Sequence, residues 1–217
     1  MNDDYILNQQ EKLSKPKINK VVLAAKTEFE RNGIVNSKIR DIAKLAGVGE
    51  ASVYRYFKDK TELVDLVAFY AWSQKSHEFE TFITSHMLVA TSGVEQLLVI
   101  FDLFADLYFN HKDMLKFMED YGNYRAMTNP DTNTNILASY LESLKELIYS
   151  FVALGIQEGT VKEETIKEDI YEYFILSLLP TIQNLAIRSS VLNNNTNESN
   201  KRLIFNMRKV FIIWVKK

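Results

Sequence analysis

The stretch from Ser37 to Lys60, SKIRDIAKLAGVGEASVYRYFKDK, constrains the fold of this 217-residue chain more than any other. Its pattern predicts two short helices joined by a tight turn at Ala46-Gly47-Val48, followed by exposed aromatic and basic side chains. A glycine in such a turn permits the left-handed backbone that ends one helix just before the next begins. Two helices joined in this way can place the second one in the major groove of DNA.

Start and stop signals for helices lie on both sides of this stretch. Pro16 suits the first turn of a helix that runs to about residue 32, and Gly33 suits its C-terminal cap. Ser37 is a candidate N-cap for the next helix. After the stretch, Asp59 with Glu62 three positions later is a capping-box pattern that predicts a further helix.

The remainder of the chain shows helical periodicity and no strand pattern. Helices are predicted near 61–80, 93–110, 112–125, 133–158, 165–191 and 200–216, with a kink at Pro180. We therefore expect an all-α fold of about nine helices, with a three-helix helix-turn-helix head on a larger C-terminal helical bundle. The expected divisions are a flexible N-terminal arm at 1–15, a DNA-binding domain at 16–62 and a body at 63–217.

Composition excludes several classes of protein. The chain has no cysteine, so disulfides, cysteine-based metal sites and cysteine nucleophiles are excluded. Asp3 and Asp4 stand where a signal peptide needs positive charge, and no apolar run approaches the length of about 20 residues that spans a membrane. We expect a cytoplasmic protein with no membrane partner.

Catalytic and metal-binding patterns are equally scarce in the sequence. It has no glycine-rich phosphate loop, nucleophile elbow or paired catalytic carboxylates. His77, His86 and His111 lack the spacing of a metal site. We therefore expect neither an enzyme nor a cofactor.

Charge is distributed unevenly along the chain. Residues 12–60 carry 12 basic and 5 acidic side chains, although the net charge of the whole chain is −2. A basic N-terminal part on an acidic body suits a protein that contacts phosphate with one end only.

The residues after the turn supply chemistry for DNA contact. If Val48, Val53 and Phe57 face inward, the outward positions fall to a mixed polar and aromatic set: Glu50, Ser52, Tyr54, Arg55 and Tyr56. Tyrosine hydroxyl groups donate to phosphate, and arginine either clamps phosphate or reads guanine. The alternative is that the two tyrosines merely pack the head against the body.

The segment from about Lys17 to Leu66 resembles the TetR-type (tetracycline-repressor-like) transcriptional regulators. The similarity is carried by Phe29 with Gly33, by the run from Ile42 to Val48, and by the run from Tyr54 to Lys60 with Leu63. It covers about a quarter of the chain.

This resemblance implies particular roles at matching positions. Contacts to DNA phosphates are expected from Ser37, Lys38, Tyr54, Tyr56 and Lys60. Reading of base edges is expected from Arg40, Glu50, Ala51, Ser52 and Arg55. Gly49, also in the expected DNA-binding set, replaces the usual serine cap of the recognition helix, which costs a few tenths of a kcal/mol.

The resemblance also implies a ligand-responsive body whose last two helices form a dimeric four-helix bundle. A small, largely apolar effector is expected, with candidate ligand-binding residues Phe101, Phe104, Tyr108, Tyr121, Tyr124, Arg125 and Phe151. The wide apolar faces of the last two helices need a partner surface. The candidate dimer residues are Phe174, Leu178, Ile182, Leu203, Met207, Val210 and Trp214.

The expected function is therefore that of a homodimeric repressor that binds a pseudo-palindromic double-stranded operator and is released by its effector. An activator is also possible, because the sign of regulation depends on where the operator lies. Two alternatives stay open: a ligand-blind DNA-binding or architectural factor on the same fold, and a helical protein–protein adaptor.

Overall fold

The computed structural model describes residues 3–128, 136–188 and 197–217. In these residues the elements are α1 (Asp3–Ser14), α2 (Pro16–Asn32), α3 (Ile39–Ala46), α4 (Glu50–Tyr56), α5 (Lys60–Met87), α6 (Gly93–Asn110), α7 (Lys112–Thr128), α8 (Ile136–Glu158), α9 (Lys167–Glu172), a π-helical segment (Tyr173–Leu178), α10 (Leu179–Arg188) and α11 (Asn197–Val215). No β-strand occurs in the described ranges, where Val161 and Lys216 form an isolated bridge. The all-α prediction is confirmed.

Three elements differ from the sequence expectation. Residues Asp3–Ser14 form a helix where a flexible arm was expected, and its Lys12 ammonium group lies 2.5 Å from a carboxylate oxygen of Glu62. Helix α5 continues to Met87, beyond the expected end near residue 80. The helix predicted near 165–191 changes to π-helical hydrogen bonding over Tyr173–Leu178, two residues before Pro180, whose nitrogen has no hydrogen to donate.

The chain forms two compact units. The first comprises Met1–Ser76 and Phe117–Ser139, and the second comprises His77–Lys116 and Tyr140–Lys217. Helices α5 and α7 each contribute residues to both units because the divisions fall within them.

The first unit has its core between α2, α3, α4 and the N-terminal part of α5. Apolar side chains at helical spacing on α2 face α3, and α3 packs in turn on α4. The fully buried residues include Val21, Val22, Ala25, Phe29, Ile34, Ile42, Val53, Phe57 and Leu63. The expected inward positions of Val53 and Phe57 are confirmed, whereas Val48 is half-buried.

The second unit is built around α6, which packs against α10 and α11. Aromatic rings fill this core: Phe101 lies 5.8 Å from Phe211 and Phe104 lies 5.5 Å from Phe174, measured between ring centroids. At the start of α6, a Cβ atom built on Gly93 would lie 2.2 Å from the backbone nitrogen of Gly155 in α8. The two helices therefore meet through their backbones at this point.

One segment meets the length and composition of a membrane span. It is Lys167–Ile187, which differs from our expectation that no such stretch exists. A third of its most apolar stretch is buried inside the protein. Length and composition alone do not distinguish a membrane span from the core helix of a soluble protein.

Candidate DNA-binding face

The turn between α3 and α4 has the geometry that the sequence predicted. Gly47 adopts the left-handed conformation, with φ 63° and ψ 37°, at the C-terminal end of α3. The backbone N–H of Val48 then donates to the carbonyl oxygen of Ala43 at 3.0 Å, which satisfies a carbonyl group at the helix end. Ile39, Ile42, Ala43 and Ala46 bury the inner face of α3. These contacts fix where α4 begins.

Helix α4 presents its polar side chains outward. Val53 is its only buried residue, and Tyr54 is 53% exposed. The exposed guanidinium group of Arg55 donates to the Tyr56 hydroxyl oxygen at 3.3 Å and lies 5.3 Å from the centre of that ring. An exposed tyrosine and arginine on one short helix are available to a flat or anionic partner.

A groove of about 460 Å³ gathers most of the basic side chains expected at the DNA. It is lined by Ser37, Lys38, Ile39, Arg40, Glu50, Tyr54 and Lys60. The structure thus brings together six of the eleven residues that the sequence assigned to DNA. The other five, Gly49, Ala51, Ser52, Arg55 and Tyr56, lie on or next to α4 but do not line this groove.

Ser37 requires a correction. It does not cap α3, since Lys38 holds that position without a side-chain cap. Its side chain is 3% exposed, and its hydroxyl group donates to the carbonyl oxygen of Gly33 at 2.7 Å. The hydroxyl group therefore holds the turn after α2 and is not free to contact a phosphate.

Lys60 is anchored at the edge of the groove. Its ammonium group donates to the carbonyl oxygen of Val35 at 3.1 Å and lies 5.5 Å from the centre of the Tyr124 ring. Partial burial lowers the pKa of Lys60, and the carboxylate of Asp120 opposes part of this effect. These neighbours hold the cation in place, which reduces the entropy lost when it binds a phosphate.

The start of α5 confirms the predicted cap. The backbone N–H of Glu62 donates to the Asp59 carboxylate at 2.9 Å, and the Glu62 carboxylate accepts from the N–H of Lys58 at 2.7 Å. Burial alone would raise the pKa of Glu62, but hydrogen bonds from Lys12 and Lys58 lower it below its usual value. The acidic pair thus fixes the segment between α4 and α5.

The sequence did not reveal a set of hydrogen bonds between α7 and the head. The Asp120 carboxylate accepts from the backbone N–H of Ile34 at 2.6 Å. The Tyr121 hydroxyl group and the Arg125 guanidinium group donate to the Asp65 carboxylate at 2.9 and 3.4 Å. These partners are at least 56 residues apart in sequence, so no local pattern could indicate them.

The candidate ligand-binding residues fall into two groups. Tyr121, Tyr124 and Arg125 belong to the first unit, where they are buried and bond to α5; the Tyr124 hydroxyl group lies 3.2 Å from that of Thr61. The other four, Phe101, Phe104, Tyr108 and Phe151, are buried in the second unit. The structure therefore does not gather all seven around one cavity within a single unit.

The candidate dimer residues also divide. Phe174, Leu178 and Ile182 are completely buried within the chain itself, so we correct their assignment to a dimer surface. Phe174 stacks on Phe104 of α6, and α10, which carries Ile182, packs against α6. On α11, Leu203, Val210 and Trp214 are 43%, 64% and 41% exposed, and Met207 is half-buried. These four α11 residues remain available to a partner.

Comparison with known proteins identifies a family that the helix-turn-helix segment resembles. The sequence profile of the bacterial regulatory proteins of the tetR family matches residues 21–67, which contain α3, the turn and α4. Residues 21–67 therefore resemble the DNA-binding segment of TetR-family transcriptional regulators. The matched residues contain the helix-turn-helix, and the family that they match is one of bacterial regulatory proteins.

Longer similarities extend beyond this segment. A probable HTH-type transcriptional regulator of Bacillus subtilis (strain 168), YttP, is 29% identical over 161 residues, which cover 73% of this chain and 72% of YttP. Two solved structures share the fold over nearly the whole chain. FadR of Bacillus subtilis, in complex with stearoyl-CoA, aligns with a TM-score of 0.64 at 17% identity, covering 90% of this chain and 97% of FadR. The ketosteroid regulator KstR2 of Mycobacterium tuberculosis aligns with a TM-score of 0.62 at 14% identity, covering 92% and 94%.

Proposed function

We propose that this protein is a cytoplasmic homodimeric repressor of the TetR family that binds a pseudo-palindromic operator and is released by a small, largely apolar effector. The observation that carries the proposal is the groove beside α4, where Lys38, Arg40, Tyr54 and Lys60 line one surface. A concave surface with three cations and a tyrosine attracts the phosphate backbone and positions α4 against base edges.

The residues of this face divide into two roles. Lys38, Tyr54, Tyr56 and Lys60 contact phosphates, and Ser37 contributes only by holding the turn. Arg40 and the outward positions of α4 read base edges; on α4 these are Glu50, Ala51, Ser52 and Arg55. Glu50 is exposed within the groove, where a carboxylate repels phosphate and suits the amino group of a cytosine.

The dimer forms through the exposed apolar side of α11. Leu203, Met207, Val210 and Trp214 follow one another at intervals of three or four residues, so they form one stripe along the helix. Three of the four are at least 41% exposed in the protomer. An isologous pairing of two such stripes covers both, and a pseudo-palindromic operator requires the two copies of α4 to bind about 34 Å apart, or a multiple of that distance.

Helix α7 carries the signal from the effector. Its first residues belong to the second unit and its remainder to the first, where Asp120 holds the N–H of Ile34 and Tyr121 holds Asp65. An effector that moves α7 therefore changes the hydrogen bonds on the head. Tenfold weaker operator binding needs about 1.4 kcal/mol of difference in effector affinity between the two states.

The apolar character of the effector has two supports. Phe101, Phe104, Tyr108 and Phe151 give the second unit a largely aromatic interior. FadR of Bacillus subtilis, which shares the fold, binds stearoyl-CoA. An apolar effector that enters this interior would replace contacts between aromatic rings by contacts between the rings and the effector.

One observation favours a ligand-blind factor instead. Phe101 already packs on Phe211, and Phe104 on Phe174, so these rings have partners without an effector. Native mass spectrometry of the purified protein distinguishes the two functions. A dimer that carries an extra small-molecule mass supports the effector, a bare dimer favours the ligand-blind factor, and a monomer contradicts the paired-head geometry.

The DNA-binding face is tested with operator duplexes selected from a random-sequence pool. In fluorescence anisotropy, Tyr54→Ala and Arg55→Ala should each weaken binding at least about tenfold, because each removes a contact worth about 1.4 kcal/mol or more. Arg202→Ala is the charge-matched control, since Arg202 is exposed on α11 in the second unit. Wild-type affinity in both head variants, with the dimer intact, would refute the assigned face.

A further inference from the structure

A second cavity, of about 470 Å³, lies within the second unit. It is found where α6 ends and where α7 and α11 begin, and its lining residues are Tyr108, Phe109, Asn110, Lys112, Asn197 and Lys201. All six belong to the same compact unit. The two lysines and the aromatic side chains of this cavity are not among the residues assigned to DNA contact, so the proposed operator binding does not account for them.

The cation of Lys112 is held only by neutral groups. Its ammonium group donates to the side-chain oxygen of Asn197 at 3.0 Å and lies 4.4 Å from the centre of the Tyr108 ring. Within residues 3–128, 136–188 and 197–217, no carboxylate forms an ion pair with Lys112 or with Lys201. The cavity therefore carries two positive charges that the described part of the chain does not neutralise.

Asp106, the last acidic residue of α6, bonds to groups other than the two lysines. The Asp106 carboxylate accepts from the side-chain amide of Asn110 and lies 3.2 Å from a ring nitrogen of His111. Asp106 does not line the cavity. Its charge is therefore directed to those two neighbours, and the lysines remain the charged groups that an incoming molecule meets.

A series of hydrogen bonds between partly buried side chains holds the Lys112 site in place. The side-chain amide of Asn200, which is 5% exposed, donates to the Tyr108 hydroxyl oxygen at 3.0 Å. The Tyr108 hydroxyl group, on a side chain that is 1% exposed, donates in turn to the Asn197 oxygen at 3.5 Å. Because Asn197 also accepts from Lys112, these hydrogen bonds fix the position of the ammonium group before any ligand arrives, which reduces the cost of binding.

The wall of the cavity adds an apolar surface. Phe109 is 43% exposed and meets the Tyr108 ring edge-on at 5.2 Å. We propose that this cavity binds a small organic anion, with its phosphate or carboxylate group at Lys112 and Lys201 and its apolar part against Phe109. The proposal goes beyond regulation of an operator by an apolar effector, since Lys112, Lys201 and Phe109 were assigned neither to DNA nor to that effector.

Phenyl phosphate is the probe, and its binding to the full-length protein is measured by isothermal titration calorimetry at low salt. We expect saturable binding by the wild type, and at least about tenfold weaker binding, or about 1.4 kcal/mol, in Lys112→Gln and in Lys201→Gln. Lys209→Gln is the matched control on α11, because the Lys209 ammonium group lies over the Phe205 ring, outside the cavity. It should bind the probe as the wild type does.

Three further titrations identify the chemistry. Benzyl alcohol should not bind, and benzoate at an affinity similar to that of phenyl phosphate would support the shared anion chemistry. Inorganic phosphate that binds as tightly as phenyl phosphate would assign the cavity to free phosphate and overturn the organic ligand. Absence of saturable binding, or equal losses in Lys112→Gln and Lys209→Gln, would overturn the site itself. None of these measurements uses DNA, so failure here is distinct from failure of the proposed repressor.

Discussion

Substitution of Gly93 by alanine tests the close approach of α6 and α8. The added Cβ would lie 2.2 Å from the backbone nitrogen of Gly155, and 2.5 Å from both its Cα atom and the carbonyl oxygen of Phe151. All three atoms belong to the backbone of α8, so no side-chain rotation can relieve the contacts. The start of α6 would have to move away by about 1 Å to restore ordinary van der Waals distances.

The magnitude follows from two opposing effects. Alanine at a helical position gains about 0.5–1 kcal/mol over glycine, chiefly because the unfolded chain loses freedom. Overpacking of a close contact costs about 1–3 kcal/mol, and the move also strains the hydrogen bond from the Gly93 N–H to the Glu158 carboxylate at 3.0 Å. We expect a net loss of about 1–2 kcal/mol in the free energy of unfolding, roughly a five- to thirtyfold change in the unfolding equilibrium.

Gly122→Ala is the matched control because it makes the same chemical change in a helix with free space. Gly122 lies within α7, and a Cβ built on it meets no atom within 4 Å. It should stabilise the protein by about 0.5–1 kcal/mol. Urea unfolding followed by far-UV circular dichroism, at one fixed protein concentration, measures both variants. The same sign of change in both, or no loss in Gly93→Ala, would refute the backbone contact.

Two further predictions concern charge and assembly. Burial raises the pKa of Asp65 above its unfolded value, although Tyr121 and Arg125 oppose part of this shift. Binding of a proton by Asp65 therefore stabilises the folded state at low pH. This contribution is lost as the pH rises through the pKa of Asp65 in the folded protein. The loss of stability in Asp65→Asn should therefore be larger at about pH 4 than at about pH 7, and an equal loss at both would contradict the shift. Val210→Asp should raise the dimer dissociation constant, measured by analytical ultracentrifugation, at least about tenfold. The reason is that an unpaired carboxylate would enter the proposed apolar interface. Leu88→Asp is the control, at an 82% exposed position outside α11, and it should leave the dimer dissociation constant unchanged. An unchanged constant in Val210→Asp as well would contradict the proposed dimer surface on α11.

Local signals determined much of the fold. The left-handed conformation of Gly47 and the cap formed by Asp59 and Glu62 were both predicted, because each depends on residues within one helical turn. The outward positions of Tyr54 and Arg55 followed from helical periodicity once Val53 was placed inward. The helix-turn-helix and the exposure of these two side chains are therefore predictable from the sequence alone.

Other features depended on which surfaces meet in three dimensions. The apolar pattern near Phe174 predicted that this residue would be covered, but only the structure shows that Phe104 of the same chain covers it. Ser37 carries the signature of a cap, yet the path of the turn directs its hydroxyl group to Gly33. Tyr121 finds Asp65 across 56 residues of sequence. Periodicity states that a face must be buried or bonded, whereas the choice of partner is made by packing between distant segments, and that choice belongs to the tertiary structure.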